Sequence, residues 1–158
     1  MRYDIKRFLT AQKEAYSTAY AEVLNGRKET HWAWYIIPQL KGLGVSDRAV
    51  YYGIDGMGEA KAYWQNKLLR TNYLRFMELF LKHEEKDATA IMGFPDDLKL
   101  RSSVTLFLEA ARELSQENDT YTEGITVLET VLEEYYGGEE DEKTLELLGK
   151  AQKGGEGR

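Results

Sequence analysis

With 158 residues, 42% apolar and 30% charged, the chain has the size and balance of one ordinary globular domain with a substantial core. A formal net charge of −6 disfavours a dedicated nucleic-acid binder, which carries a basic footprint. Cysteine is absent from the sequence, which excludes a disulfide framework, a thiolate nucleophile and a cysteine-based zinc site, and agrees with a reducing cytoplasm.

Membrane association is not expected. Lys82 and Glu84 break up even the richest apolar stretch, so none approaches the roughly 18 residues a bilayer span requires. The amphipathic start, with Lys6, Arg7, Lys13 and Glu14, does not read as a secretory leader. Basic residues gather early (Lys6, Arg7, Lys13, Arg27, Lys28, Lys41, Arg48), whereas acids dominate from Glu109 onward. That unevenness fits either a local positive funnel for a phosphate or carboxylate, or an ordinary solvated surface.

In chain order, Asp4 is placed to cap a first helix running to about Leu24, with Ile5, Phe8, Leu9, Ala15, Tyr16, Ala19 and Val23 at helical spacing. Asn25-Gly26 stops it. Thr30 is expected to cap a short helix through the Trp-rich segment, which Pro38 ends. Ser46 or Asp47 opens another through Ile54 after the tight Gly42-Leu43-Gly44 turn. Further helices are predicted from about Gly58 to an interruption at Asn66, from about Leu68 to His83, and from an Asp87 cap over Ala88 to Met92. The next begins at Pro95 and runs to about Ser115, followed by one ending at Tyr136 and a terminal turn opened by Asp141. No segment alternates as a strand. The fold expected is all-α, a compact multi-helix bundle in one domain over residues 1–149, with a disordered tail over 150–158.

Several chemistries drop out. The sequence has no phosphate-binding glycine loop and no dinucleotide fingerprint. Its two histidines, His31 and His83, are not in a His-Glu-x-x-His arrangement, so no metal site is expected. No cofactor is called for, and carboxylate pairs on an acidic surface do not argue for a glycosidase. The Glu139–Glu142 run reads as a solvated loop and helix start, and His83, between Lys82 and Glu84, as a surface residue.

Two stretches remain informative. His31-Trp32-Ala33-Trp34-Tyr35-Ile36-Ile37-Pro38-Gln39 joins rigid aromatic surface to polar tips. Residues two apart on a helix diverge, so one indole is expected in the core and the other lining a cleft. In the second stretch, Leu100, Val104, Phe107 and Ala111 form an apolar face, with Asp96, Lys99 and Ser103 on one flank and Arg101, Ser102 and Thr105 largely opposite. Lys99 and Ser103 would meet at the edge of the core, Asp96 pairing the ammonium. The order Lys-x-x-x-Ser lacks the usual Ser-x-x-Lys signature of a nucleophile and base, and no residue is assigned a catalytic role.

Together the stretches resemble a family of small, mainly helical bacterial and fungal domains of unknown function, some of whose members are labelled calpastatin. The resemblance is carried by His31-Trp32-x-Trp34, Pro38-Gln39, Gly42-Leu43-Gly44-x-Ser46, Gly93-x-Pro95-Asp96 and Lys99-x-x-Ser102-Ser103-x-Thr105-Leu106-Phe107 within about residues 4–149. It implies a cytoplasmic helical domain with no established activity, cofactor or partner. His31, Trp32, Trp34, Gln39, Lys99, Ser102, Ser103 and Thr105 become its characteristic positions. After Tyr63 this chain has Asn66-Lys67-Leu68-Leu69 where many relatives have a His-Pro-Leu-Gly-like turn. The calpastatin label does not suit an ordered aromatic-rich domain.

The functional expectation is a pocket between residues 31–39 and 96–105 for a small anionic or nucleotide-like metabolite. In it Lys99 neutralises the anion, Asp96 orients Lys99, and Ser102, Ser103 or Thr105 donate hydrogen bonds. An indole or Tyr35 covers a planar part, and His31 and Gln39 supply polar tips. The alternatives are a protein-interaction module using the Trp-rich segment and a purely structural polar network.

Overall fold

A computed structural model describes residues 3–150. Glycines and prolines divide the chain into helices of unequal length, and the longest apolar one lies at the centre. That helix is α7 (Asp96–Ser115), with every residue from Ser102 to Ala111 buried. It packs against α4 (Gly56–Gln65), α6 (Ala88–Met92), α8 (Thr122–Tyr136) and α9 (Glu142–Leu148). On the other side, α1 (Lys6–Leu24) lies against α2 (Ala33–Ile36) and α5 (Lys67–Phe80). α3 (Asp47–Tyr52) completes the α-helices among the described residues, and a 3₁₀ turn spans Asp119–Tyr121. The described residues contain no strand; the one extended pairing is an isolated parallel bridge between Leu40 and Ile54. The protein is all-α.

The predicted caps hold where a short polar side chain precedes an apolar run. Ser46, Asp87 and Asp141 each accept from a backbone N–H of the helix they open, and Asn66, expected only as an interruption, caps α5 in the same way. Two expected caps are corrected. α1 begins after Ile5 without a side-chain cap, and the Asp4 carbonyl is instead taken by Arg7. Thr30 lies outside α2, because its hydroxyl donates to Glu22 (2.7 Å). His83 is half-buried rather than a surface residue, with Nε2 bonded to the Val23 carbonyl at 2.6 Å. The tail expected over 150–158 lies, except for Lys150, outside the described residues. Lys150 itself pairs with Glu113 at 2.6 Å.

The core is strongly aromatic. Trp64 stacks on Phe107 with centroids 5.3 Å apart, Tyr73 meets both rings edge-on, and Phe8 meets Tyr63 edge-on at 5.2 Å. A buried ion pair fixes the turn beside the cleft described below. Arg7 Nη1 lies 2.7 Å from Glu59 Oε2, and the same guanidinium donates to the carbonyls of Tyr51 (2.9 Å) and Gly53 (3.1 Å). The end of α3 is thereby fastened to α1 and α4. Gly53 is required there, since a Cβ would stand 2.8 Å from Lys41 Cα across the Leu40–Ile54 bridge.

Candidate functional site: an aromatic cleft with a cationic rim

Lys28 brings the two informative stretches together. It follows the α1 stop, its backbone N–H donates to the Ile91 carbonyl, and its ammonium lies 2.8 Å from Asp96 Oδ2 at the start of α7. Lys99 approaches the other oxygen of the same carboxylate, at 3.2 Å from Oδ1. Burial alone would raise the Asp96 carboxyl; the two ammoniums outweigh it and hold it below the ordinary carboxylate range. One carboxylate therefore serves two cations, and a positive charge is left over.

Between these stretches lies a cleft of about 460 Å³, within the range of small-molecule sites. Trp34, Ile37 and Gln39 form one wall, and Leu98, Lys99 and Ser102 face them from the first turns of α7. The other walls come from Leu43, Ser46, Ala49 and Tyr52 around α3, and from Asp141 and Lys143 at the start of α9. Gly44 lets the α2–α3 loop lie directly on α3, since a Cβ there would stand 2.7 Å from that of Ala49.

Trp34 is half-buried and attended by two cations. Arg48 Cζ lies 5.1 Å and Lys99 Nζ 5.6 Å from its ring centroid. Among the described residues Arg48 has no carboxylate partner, and Lys143 has none either. The Gln39 side-chain amide likewise takes no hydrogen bond from the described residues, although its backbone carbonyl accepts from Ile54 (3.0 Å). Burial, with Tyr51 and Tyr35 beside it, raises the Tyr52 phenol above its ordinary value, so Tyr52 presents a neutral hydroxyl at neutral pH.

Of the ten residues singled out in sequence, Trp34, Gln39, Lys99 and Ser102 line the cleft. Asp96 stands behind Lys99 as its counter-ion. Tyr35 stands behind Tyr52, edge-on at 5.2 Å, and its carbonyl accepts from Gln12 (2.8 Å). His31 is exposed, 6.5 Å from the Trp34 ring, outside the lining.

Three residues face elsewhere: Trp32 takes the core place expected of one of the two indoles and so leaves the expected ligand set, while Ser103 and Thr105 depart from their expected placement. Trp32 is 1% exposed; its ring meets Phe76 edge-on and its indole N–H donates to Glu22 Oε1 (2.8 Å). Ser103 is sealed in the core, sharing a 2.7 Å hydrogen bond with Tyr73. Thr105 is also sealed, its hydroxyl accepting the Asp141 N–H (2.8 Å). The physical reason is that α7 is central, so it buries more than the single face its apolar spacing suggests. Its cleft-facing sector holds Leu98, Lys99 and Ser102, neighbours at i+3 and i+4, rather than Lys99 with Ser103. Ser102 Oγ donates to its own helix at the Leu98 carbonyl (3.2 Å).

The walls from α3 and α9 were not singled out as site residues. The Gly42–Gly44 turn and the Asp141 cap were legible as local structure, but nothing local says that they meet at Trp34. The acidic run is likewise more than a solvated loop. Arg101 donates to the Glu139 (2.9 Å) and Glu140 (3.3 Å) carbonyls, strapping the segment to α7. Burial and the neighbouring Glu109 carboxyl push Glu140 well above the ordinary range, against the pull of Arg112.

Fold and cleft together define a class: a small all-α domain carrying an aromatic cleft with a cationic rim. The chain belongs to the DUF1810 family, described as a protein of unknown function, whose model matches residues 2–148. Its fold is similar to that in the crystal structure of the conserved hypothetical protein Rv1873 from Mycobacterium tuberculosis. The two chains are 40% identical with a TM-score of 0.83, over 93% of this chain and 97% of that one. No curated protein matches the chain. Among the described residues no helix is long and apolar enough to cross a membrane, and no group of acidic residues and histidines is placed to hold a metal ion.

Proposed function

We propose that this cleft binds a small anionic metabolite with a flat, largely apolar body. The observation that carries the reading is the charge around Trp34 in an otherwise acidic protein. Lys28 and Lys99 share one carboxylate, and Arg48 rests on the indole with no acidic partner among the described residues. Such a rim attracts an anion and raises its local concentration. Ile37, Leu43, Ala49 and Leu98 offer the body an apolar bed, while the Gln39 amide and the Tyr52 and Ser102 hydroxyls provide directional polar contacts. Arg48 can leave the ring for the anion, which exposes Trp34 for stacking. A cytoplasmic location agrees with this reading and with the lack of cysteine.

The test is a thermal-shift and calorimetric screen of nucleoside monophosphates, aromatic carboxylates and inorganic phosphate against the wild type and Lys99→Met. A ligand that binds the folded state raises its apparent stability. We expect at least one organic anion to stabilise the wild type and to lose most of that effect in the variant. Equal shifts in both proteins, or none in either, would overturn the reading.

A protein-interaction role is favoured by one observation, the exposure of Val45 (95%) and Leu98 (50%) at the mouth of the cleft, with Phe94 (76%) beside Pro95. Of the Trp-rich segment it would draw on Trp34 alone, since Trp32 is sealed.

A further inference from the structure

We infer that the ligand is charged at one end only, and that Asp141 makes it so: the anion lies at Trp34, and uncharged hydrogen-bond donors, such as sugar hydroxyls, lie against the Asp141 carboxylate. This rests on the reading of the cleft as an anion site and adds the ligand's polarity to it. Asp141 is held from two sides. Its backbone N–H donates to Thr105 Oγ1 (2.8 Å) on the central helix, and its Oδ2 accepts from Thr144 N (2.9 Å) and Thr144 Oγ1 (2.6 Å). Thr105 and Thr144 are both fully buried, so the carboxylate is anchored to the core. Oδ1 takes no partner among the described residues.

An ionised carboxylate is acceptor-only, so a fixed oxygen with spare capacity in a cleft selects for O–H or N–H donors. The same fixed charge penalises a second anionic group placed there. Lys143 also lines this end, but no hydrogen bond or ion pair among the described residues holds its ammonium, whereas Thr105 and Thr144 hold Asp141 in place, so the fixed charge here is the carboxylate's. Lys99 lies six residues before Thr105 on α7, about 9 Å back along the helix axis, and there the balance is reversed, with Lys99 and Arg48 at the Trp34 ring. The half-buried Gln39 amide, also in the lining, offers a donor and an acceptor side by side, which suits the edge of a nitrogen heterocycle. A cleft of about 460 Å³ suits a body of that size. A heterocycle joined through a hydroxylated sugar to one terminal phosphate, a nucleoside monophosphate, meets all three requirements.

The experiment compares the four ribonucleoside 5′-monophosphates with the corresponding 3′,5′-bisphosphates by calorimetry on the wild type and Asp141→Asn. Asparagine caps a helix about as well as aspartate, so the variant keeps its fold, which a melting curve verifies. We expect the wild type to bind at least one monophosphate about tenfold more tightly than its bisphosphate, and Asp141→Asn to close that gap to less than about threefold. A residue that merely held α9 in place would weaken both ligands alike. A wild type without preference, a preference for the bisphosphate, or a gap unchanged in Asp141→Asn would overturn the inference. If no nucleotide binds but an aromatic carboxylate does so in a Lys99-dependent way, the anion site stands and the nucleotide assignment falls.

Discussion

Trp32 and Trp34 are two residues apart and belong to different parts of the molecule. Trp32 is sealed, and the carboxylate it donates to is saturated: Glu22 also accepts the Glu29 (2.8 Å) and Thr30 (3.0 Å) N–H groups and the Thr30 hydroxyl. Trp34 lies on open volume between cations whose charge is only partly matched. The same contrast separates Ser103, paired with Tyr73 in the core, from Ser102 on the cleft. A polar group whose partners are all internal is a fastener. A group with spare hydrogen-bonding capacity beside a void is available to a guest.

The largest effect should come from breaking the sealed side of this contrast. We expect Trp32→Ala to cost about 3–5 kcal/mol of stability in chemical denaturation, because a large buried side chain is lost and its cavity collapses only in part. Trp34→Ala should cost about 1 kcal/mol, since its ring is only half-buried, yet should abolish organic-anion binding. Comparable losses of stability in the two variants would erase the distinction.

Next is Glu22. Burial alone would raise its carboxyl, but the donors from Glu29, Trp32 and Thr30 lower it from 4.5 to about 2. A carboxyl with a depressed folded-state pKa stabilises the protein fully above its unfolded value. That contribution, present above about pH 4.5, is lost as pH falls toward 2. Glu22→Gln should therefore flatten the acid limb of denaturation midpoint against pH between 6 and 2 while lowering stability at neutral pH. An acid limb unchanged in the variant would remove Glu22 from that role.

The smallest and sharpest comparison is between the adjacent serines. Ser103→Ala leaves the buried Tyr73 hydroxyl without its partner and should cost about 1–3 kcal/mol. Ser102→Ala removes only a bond to its own helix and should stay within about 0.5 kcal/mol. Denaturant midpoints on the two variants decide the matter. If Ser102→Ala proves the costlier, the assignment of the two faces of α7 is wrong.

Much of the fold was legible because its signals are local. Ser46, Asp87 and Asp141 cap helices from one side chain and the next three residues, and glycine at Gly93 and Gly137 ends helices through a positive φ. The cleft was legible only as two of its walls. Lys99, Ser102, Trp34 and Gln39 stood out as polar or aromatic groups near apolar ones, and they meet in one cleft. The burial of Ser103 and Thr105 was not legible, because apolar spacing shows which face of a helix must be buried, not how many neighbours bury the others.

Composition, turn residues and helical periodicity thus determined the all-α class and the order of its helices, since each depends on interactions within a few residues. The tertiary structure decided which of two neighbouring indoles is core and which is open, and that Lys28 and Lys99 divide Asp96. It also brought α3 and α9 to the same cleft. Those outcomes depend on groups 36 to 68 positions apart in sequence, Thr105 with Asp141 and Lys28 with Asp96. Their proximity is fixed by the packing of helices around α7, which no local pattern encodes.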